Sequence, residues 1–425
     1  MKHVLVIAYL FPPLGGGGVQ RTTKFVKYLA RNGWKVTVLS VKPSRFYVVD
    51  EQLFHDIPQN VKVIRTAFYS VNFLLAIFRK LKLRFLATFL TKFLIPDPEI
   101  GWLLPAARAA KALCQSERFD VLYTTSSPYT AHLVGLTLQK KFPHLKWIAD
   151  FRDPWTQNKL AYETLGKIRQ RLDTMLEKKI LRTAHQIISV TKMCSDNLIS
   201  EFNLAPAKVN TIYNGFDEED FEKILSKRSI QPKATNIFEI VYCGSAYGDY
   251  SPARFIDTML KQVIQFTPEL RMTFVGNSCR FVKSFLKKSG YSDHFSNFFQ
   301  LRGYVSHSES IEAMMQANLL LLVIPNRIPY NMTGKIFEYM RIGAPILAAV
   351  PVNGEAARII RNVRAGFVVD PENTDEIAEI VLQAYSKWKV GALTVEPDQT
   401  KIAHFRRDML TLQLTKVFNK ALETV

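Results

Sequence analysis

Short apolar runs rich in valine and isoleucine recur along the whole chain and alternate with stretches of helical periodicity. Near-continuous apolar runs of this kind are typical of strands in parallel sheets that helices cover on both faces. The runs are HVLVIAY, KVTVLSV, VKVIRTA, VLYTTS, KWIADF, QIISVT and VNTIYN, followed by FEIVYCG, RMTFVG, FFQLRGYV, LLLLVIP, APILAAV and AGFVVD. Thirteen candidate strands exceed what one compact doubly wound domain holds. The sequence therefore predicts an α/β protein with two doubly wound, Rossmann-like parallel-sheet domains.

A charged stretch between the two sets of strands indicates the domain boundary. Residues 217–236 end in QPKATN and lack an apolar periodic core. We predict an N-terminal domain at 1–216, a linker at 217–236 and a C-terminal domain at 237–404. A helical pattern at 405–425 follows the last strand–helix unit.

The charge of the chain points to an anionic partner. Lysine and arginine number 56 against 37 acidic residues, which gives a net charge of +19. Nucleic acid, a phosphate-bearing ligand and an anionic membrane surface all fit such an excess. The four scattered cysteines are predicted to be reduced thiols, and no apolar run is long enough to predict a transmembrane helix. The N-terminal run is predicted to be a strand rather than a signal peptide.

Four consecutive glycines follow the first predicted strand, in FPPLGGGGVQR at 11–21. Glycine loses more conformational entropy on folding than other residues, so a run of four between a strand and a helix needs a reason. Glycines let backbone approach an anion, and the free N–H groups of the following helix then point at it. No GK[ST] follows, and no acidic residue closes the second strand, so neither a Walker A loop nor a dinucleotide fingerprint is predicted. A ligand loop and a purely structural loop both remain open.

Four further motifs follow the glycine loop, each just after a predicted strand. They are DFRDPW at 150–155, TIYNGFD at 211–217, GYVSHSE at 303–309 and TGKIFEYMRIGAPILA at 333–348. In this order and spacing, the set resembles the retaining nucleotide-sugar glycosyltransferases of family 4, and the resemblance covers almost the whole chain. It implies the GT-B fold, in which two Rossmann-like domains face each other across a cleft. It also implies that a C-terminal helix, here 405–425, packs back on the first domain.

The resemblance places the donor nucleotide mainly on the second domain. It implies that Glu338 accepts hydrogen bonds from the ribose hydroxyls and that Thr333 and Gly334 present N–H groups to the diphosphate. Lys335 would add a point charge there, although Lys335 and Glu338 are three residues apart and can also simply pair with each other. The other donor-binding candidates are Gly16, Gly17, Gly244, Ser245, Gly303, Tyr304 and Val305.

The candidates for catalysis on the acceptor side are Asp150, Arg152 and Asp153. A carboxylate here can act as a base or orient the acceptor hydroxyl. The same three charges can equally form a structural ion-pair cluster. The sequence departs from the family at Tyr330, where relatives carry a glutamate eight residues before Glu338.

In the mechanism that the resemblance implies, the leaving diphosphate accepts the proton of the incoming hydroxyl and no enzyme nucleophile is needed. The protein then contributes positioning and charge stabilisation. The sequence has no DxD element in a plausible donor loop and no His/Cys cluster. We therefore expect neither a required metal nor a cofactor besides the nucleoside diphosphate sugar.

Residues 57–96 contain no acidic residue. Apolar residues recur there at spacings of three and four, and basic residues occupy another face, which is the pattern of an amphipathic helix. Such a helix fits an interfacial membrane helix, with Arg79, Lys80, Lys82 and Arg84 facing the lipid headgroups. The alternative is a helix packed on its own sheet with a solvated basic face. Nucleic acid fits less well, because the aromatic residues lie on the apolar face.

Taken together, the family resemblance and the basic stretch imply a hexosyltransferase-type enzyme that acts with retention at the cytoplasmic face of a membrane. The acceptor would be a saccharide or a lipid-linked saccharide, in envelope polysaccharide biosynthesis. Two alternatives stay open: a non-catalytic glycosyltransferase-like subunit, because of Tyr330, and a sugar-nucleotide epimerase. The donor sugar, its base, the linkage and the oligomeric state are not specified by the sequence.

Overall fold

The computed structural model describes residues 1–43, 50–69, 94–158, 162–227, 236–246, 251–291 and 298–423. They form two compact units. Unit 1 consists of residues 1–213 and 407–425, and unit 2 consists of residues 214–406. Each is built around its own parallel sheet.

Unit 1 contains a seven-stranded parallel sheet in the order β3-β2-β1-β4-β5-β6-β7. Its strands are β1 His3–Ala8, β2 Lys35–Val41, β3 Lys62–Thr66, β4 Val121–Ser126, β5 Lys146–Phe151, β6 Gln186–Ser189 and β7 Val209–Thr211. The helices of its first segment are α1 Gly17–Arg31, α2 Leu103–Ser116, α3 Thr130–Lys141, α4 Lys167–Thr183 and α5 Lys192–Phe202. Short 3-10 segments occupy Glu51–Asp56, Pro98–Trp102 and Pro206–Lys208.

Unit 2 contains a six-stranded parallel sheet in the order β10-β9-β8-β11-β12-β13. Its strands are β8 Phe238–Cys243, β9 Leu270–Val275, β10 Phe299–Leu301, β11 Leu319–Val323, β12 Ile346–Ala349 and β13 Gly366–Val369. Its helices are α6 Glu218–Lys227, α7 Ala253–Thr258, α8 Ser278–Lys288, α9 His307–Met315, α10 Lys335–Ile342, α11 Glu355–Val363, α12 Thr374–Lys389 and α13 Gln399–Ala403. A π-helical segment at Met259–Val263 and a 3-10 segment at Ile264–Phe266 extend α7.

The alternation of side chains along the strands explains why helices cover both faces of each sheet. In β1, Val4 and Val6 pack with α1, whereas Leu5 and Ile7 belong to the core on the opposite face. Successive side chains of a strand point to opposite faces, so a continuous apolar run needs cover on both. All thirteen predicted runs are strands, and the predicted fold class is confirmed.

The last helix, α14 Arg407–Glu423, belongs to unit 1. Leu414 and Phe418 of this helix are fully buried in the core that α1 shares with the sheet. The ring of Phe418 meets Trp34 edge-on, with 5.3 Å between the ring centroids. Burial of large apolar side chains of this kind contributes about 1.5–3 kcal/mol each, which ties the C-terminal end of the chain to its beginning.

Residues 218–227 lie within the stretch expected to be a linker, but they form helix α6. Three acidic residues occupy its first turn, where they complement the positive end of the helix dipole. Phe221 is buried, and Arg341 of α10 donates hydrogen bonds to Glu218 at 2.8 and 2.9 Å. The high charge that indicated a linker therefore stabilises a helix end.

None of the helices within the described ranges combines the length and the apolar character that a membrane crossing requires.

Candidate functional site

The glycine run forms the turn between β1 and α1. Gly16 has a φ of +97°, a conformation that side chains with a Cβ rarely adopt. Gly16, Gly17 and Gly18 are exposed, and no side chain among the described residues caps the start of α1. The run therefore presents bare backbone at a positive helix end, an arrangement suited to an anion.

Asp150 is enclosed by hydrogen-bond donors at the end of β5. Its carboxylate accepts hydrogen bonds from Arg21 at 3.0 and 3.2 Å, from Tyr123 Oη at 2.5 Å and from Thr125 Oγ1 at 2.9 Å. The side chains of Asp150 and Arg21 are 0% and 2% exposed. Burial alone would raise the pKa of Asp150, but Arg21 and the other donors outweigh it and hold the pKa below its usual value. Through these contacts Asp150 holds β5 to α1, by way of Arg21, and to β4, by way of Tyr123 and Thr125. This geometry favours the ion-pair alternative over the predicted catalytic role.

Arg152 is also structural, since its guanidinium donates to three backbone carbonyls. They belong to Ser126, Gly18 and, at 3.0 Å, Ser127. Arg152 thus fixes the glycine loop against the end of β4, which favours a structural role over the predicted catalytic one.

Asp153 differs from its two neighbours because it is exposed. Its Oδ2 accepts a hydrogen bond from Ser127 Oγ at 3.2 Å. Of the three acceptor-side candidates, Asp153 alone has a carboxylate that a substrate could reach.

Three glycine turns lie side by side where neighbouring strands of unit 2 end. Gly244 follows β8, Gly276 follows β9 and Gly303 follows β10. The Gly244 N–H donates to Val275 O at 3.0 Å, and the Gly276 N–H donates to Gly303 O at 2.6 Å. A Cβ at Gly276 would lie 2.8 Å from the carbonyl oxygen of Gly244, and φ at Gly276 is +99°. These turns are half-buried and lie together at the carboxyl edge of the sheet, where ligands bind in open α/β folds.

The loop after β10 carries Tyr304 and Val305 to the start of α9. Gly303 has a φ of +65°, and Tyr304 is 54% exposed. Ser306 caps α9 in a reciprocal capping box with Glu309. Ser245 follows Gly244 on the neighbouring turn, and its carbonyl accepts from Tyr242 Oη at 3.0 Å.

Glu338 stands at the centre of a charged network at the start of α10. Its Oε2 accepts from Lys335 Nζ at 2.8 Å, and its Oε1 is 2.9 Å from His307 Nε2. The Glu338 side chain is 14% exposed and that of Lys335 is 27% exposed. Burial alone would raise the pKa of Glu338, but Lys335 and His307 outweigh it and hold the pKa well below its usual range. Glu338 is therefore ionised and oriented at neutral pH.

Two contacts join α10 to its neighbours in unit 2. Lys335 Nζ donates to Ser310 Oγ of α9 at 3.2 Å. The N–H of Cys243, the last residue of β8, donates to Tyr339 Oη at 3.0 Å. Gly334 is exposed at the start of α10, which has no side-chain cap among the described residues, and Thr333 precedes it. Unit 2 thus brings all of its predicted donor-binding residues to one edge of its sheet.

Tyr330, the departure from the family pattern, is 6% exposed in the segment between β11 and α10. A buried phenol cannot offer the negative charge of a glutamate at this point.

The four predicted membrane-facing residues, Arg79, Lys80, Lys82 and Arg84, lie outside the described residues.

Sequence reasoning missed the parts played by Arg21, Gly276 and His307. Arg21 closes the glycine motif, but it shares a helical face with the apolar Phe25, whose ring its guanidinium covers at 4.7 Å. That spacing was the available signal. His307 follows a capping serine, which fixes its place at the start of α9 but does not reveal its contact with α10.

Within the described residues, no group of three or more histidine, cysteine or acidic side chains could hold a metal ion.

Two family models match consecutive parts of the chain. Glycosyltransferase Family 4 matches residues 15–220, and Glycosyl transferases group 1 matches residues 238–387. No curated protein matches the sequence. The family models fall on the two sheet units described above.

Solved structures with the same fold align over nearly the full chain. Sucrose-phosphate synthase from Thermosynechococcus elongatus has 14% identity and a TM-score of 0.67, with 100% of both chains covered. HepE of Anabaena in complex with UDP-glucose has 16% identity and a TM-score of 0.61, covering 99% of this chain and 100% of that one. WaaG, a glycosyltransferase involved in lipopolysaccharide biosynthesis, has 15% identity and a TM-score of 0.59, covering 99% and 97%. With its two Rossmann-like units and both family models, the chain belongs to the family 4-like glycosyltransferases of the GT-B fold.

Proposed function

We propose that the protein is a retaining hexosyltransferase that uses a nucleoside diphosphate sugar as donor. The observation that carries the proposal is the network of Glu338, Lys335 and His307 beside the glycine turns of unit 2. An ionised carboxylate with two oxygens suits the vicinal diol of a ribose. The complexes of HepE with UDP and UDP-glucose are consistent with such a donor.

In the proposed reaction, Lys335 and the first amides of α10 bind the donor diphosphate. As the bond from the sugar to the diphosphate breaks, negative charge develops on the leaving group, and a positive helix end stabilises it. Lys335 and Glu338 form one ion pair. In the proposed complex, Lys335 would bind the diphosphate and Glu338 would bind the ribose of the same donor. The leaving diphosphate accepts the proton of the acceptor hydroxyl, so the reaction needs no enzyme nucleophile and, we propose, no metal.

On the acceptor side, the exposed carboxylate of Asp153 would orient the incoming hydroxyl. The exposed amides at Gly16 and Gly17 offer a second anion-binding surface. Asp150 and Arg152 serve this site indirectly, because they hold β5 and the glycine loop in place.

We further propose that the acceptor is a saccharide or lipid-linked saccharide at the inner face of the cytoplasmic membrane, in envelope polysaccharide biosynthesis. The charge of +19 and the acid-free stretch at 57–96 support an anionic surface as partner. The reported role of WaaG in lipopolysaccharide biosynthesis is consistent with this setting.

A transfer assay tests the proposal. Purified protein is incubated with radiolabelled UDP-, GDP- and dTDP-sugars and with bacterial membranes as acceptor, and label in the lipid and polysaccharide fractions is counted. We expect transfer from one donor class. Binding of nucleotide without turnover in wild type, with turnover gained in Tyr330→Glu, would instead identify a non-catalytic subunit. Conversion of the donor into an isomeric nucleotide sugar would identify an epimerase.

A further inference from the structure

Helix α4 exposes a row of large apolar side chains. Ile168, Leu172 and Met175 are 76%, 40% and 62% exposed. At roughly 100° per residue, their spacing of four and three places them within about 60° of one another around the helix axis. Single exposed apolar residues are ordinary, but a row along one helix marks an interaction surface.

Basic residues border and extend this row. The exposed cationic side chains of α4 are Lys167, Arg171, Lys178, Lys179 and Arg182. The two acidic residues of the helix, Asp173 and Glu177, are 1% and 0% exposed and lie roughly opposite the row at about 100° per residue. The outer face of α4, defined by these three apolar and five basic residues, therefore carries no acidic residue of its own helix.

The inner face of α4 is fixed by the same two acidic residues. Asp173 Oδ2 accepts from Arg169 Nε at 2.9 Å. Glu177 Oε2 accepts from the N–H of Thr156 at 3.1 Å and from its Oγ1 at 2.5 Å. Rotation of the helix would bury the basic residues and break these bonds. The outer face is thus held outward, and α4 is tied to the loop after β5 that carries Asp153.

The first turns of α4 also adjoin the acid-free stretch. Arg169 Nη2 donates to the carbonyl of Pro96, the last residue of that stretch, at 2.7 Å. A partner that contacts the outer face of α4 would therefore lie beside the end of residues 57–96 and beside the loop of the proposed acceptor site.

We propose that the outer face of α4 docks onto an anionic lipid bilayer. The three apolar side chains would enter the boundary between headgroups and acyl chains, and the basic side chains would lie at the level of the lipid phosphates. Each basic residue near such a surface adds to the attraction, and the apolar row adds hydrophobic burial. Nucleic acid is a poorer match, because bases stack on aromatic side chains and this row has none. The inference rests on the membrane part of the proposed function and assigns the contact to a specific helix.

Flotation with vesicles of equal parts phosphatidylglycerol and phosphatidylcholine tests the inference. One variant combines Ile168→Ser, Leu172→Ser and Met175→Ser, and a second combines Lys178→Glu and Lys179→Glu. The matched control reverses the same number of charges on α3, with Lys140→Glu and Lys141→Glu, which are exposed on the same unit. Because the altered side chains are exposed, circular dichroism and melting should match wild type.

We expect both α4 variants to bind these vesicles at least about tenfold more weakly than wild type, since several additive contacts are lost. The α3 control should stay within about twofold of wild type. Its altered charges do not touch the vesicle in the proposed docking mode, and salt screens charges that lie more than about 10 Å from the lipid headgroups. Vesicles of pure phosphatidylcholine should bind wild type weakly. Donor hydrolysis in the absence of vesicles should be unchanged in both α4 variants, which separates docking from the donor site.

If both α4 variants bound the vesicles as strongly as the wild-type protein does, the inference would be overturned. If reversal of Arg79, Lys80, Lys82 and Arg84 then abolished binding, the membrane part of the proposed function would survive and the docking surface would lie elsewhere. Absence of vesicle binding by wild type would overturn both. Unchanged vesicle binding with loss of self-association in the apolar variant would assign this face to a protein contact instead.

Discussion

Replacement of Asp150 by asparagine should destabilise unit 1 strongly, rather than remove a catalytic group from an intact site. The substitution leaves the guanidinium of Arg21 buried without its counter-charge and turns an amide N–H towards it. Breaking one partner out of a buried pair costs about 3–5 kcal/mol. The amide oxygen can still accept from Tyr123 and Thr125, but a neutral acceptor holds these hydrogen bonds more weakly than a carboxylate, which acts in the same direction.

Urea unfolding followed by tryptophan fluorescence measures this cost. The signal reports mainly unit 1, since Trp34, Trp102, Trp147 and Trp155 lie there and only Trp388 lies in unit 2. The exposed Asp153→Asn is the matched control and should change the unfolding free energy by less than about 0.5 kcal/mol. A paired change to Arg21→Met with Asp150→Leu should recover most of the loss, because apolar residues of similar volume can replace a buried ion pair.

The pH dependence has a definite sign. The pKa of Asp150 is lowered in the folded protein, so its stabilisation is complete above the unfolded pKa of about 4 and is lost as the pH falls further. The difference between wild type and Asp150→Asn should therefore persist at neutral pH and shrink in acid. The reasoning would be refuted if Asp150→Asn had the unfolding free energy of the wild-type protein but lost most of its turnover. That result would indicate a catalytic role for Asp150.

Three further outcomes follow from the described contacts. Glu338→Gln should weaken UDP or GDP binding by about tenfold to a hundredfold in calorimetry, because a charged acceptor is lost; unchanged affinity would remove this residue from the donor site. Gly276→Ala should cost more stability than Gly290→Ala, since both have positive φ but only the first places a Cβ 2.8 Å from Gly244 O; equal melting temperatures would contradict the close approach. Burial raises the pKa of Glu177 to about 8, so its charged form opposes folding as the pH rises from about 4.5 through 8. Glu177→Gln should therefore flatten the fall of stability over that range, and an unchanged profile would count against a neutral buried carboxyl.

The sheet topology was accessible from sequence because each buried parallel strand needs a continuous apolar run. The run KWIADF, for example, supplies side chains to both covered faces, with Ile148 on the side of α1 and Ala149 on the other. Helix α6 was not predicted, because its acidic first turn resembles a solvated linker in the sequence. Acidic residues are also favourable at the positive N-terminal end of a helix.

The direction of individual side chains was harder to predict. Asp150 lies within β5 and points to the face that α1 covers, whereas Asp153 comes after the strand has ended and reaches solvent. Three neighbouring charges in a motif therefore divide into two structural residues and one accessible carboxylate. Contacts between distant segments, such as His307 with Glu338, depend on the packing of α9 against α10 and leave no local pattern.

Proton NMR of a donor sugar during turnover tests the central claim most directly. With the donor class identified by transfer and a suitable acceptor present, the anomeric proton of the nucleotide sugar should disappear. A glycoside of the same anomeric configuration and free nucleoside diphosphate should appear in equal amounts. A product of inverted configuration would contradict retention, and an isomerised nucleotide sugar without released diphosphate would contradict the assignment as a transferase.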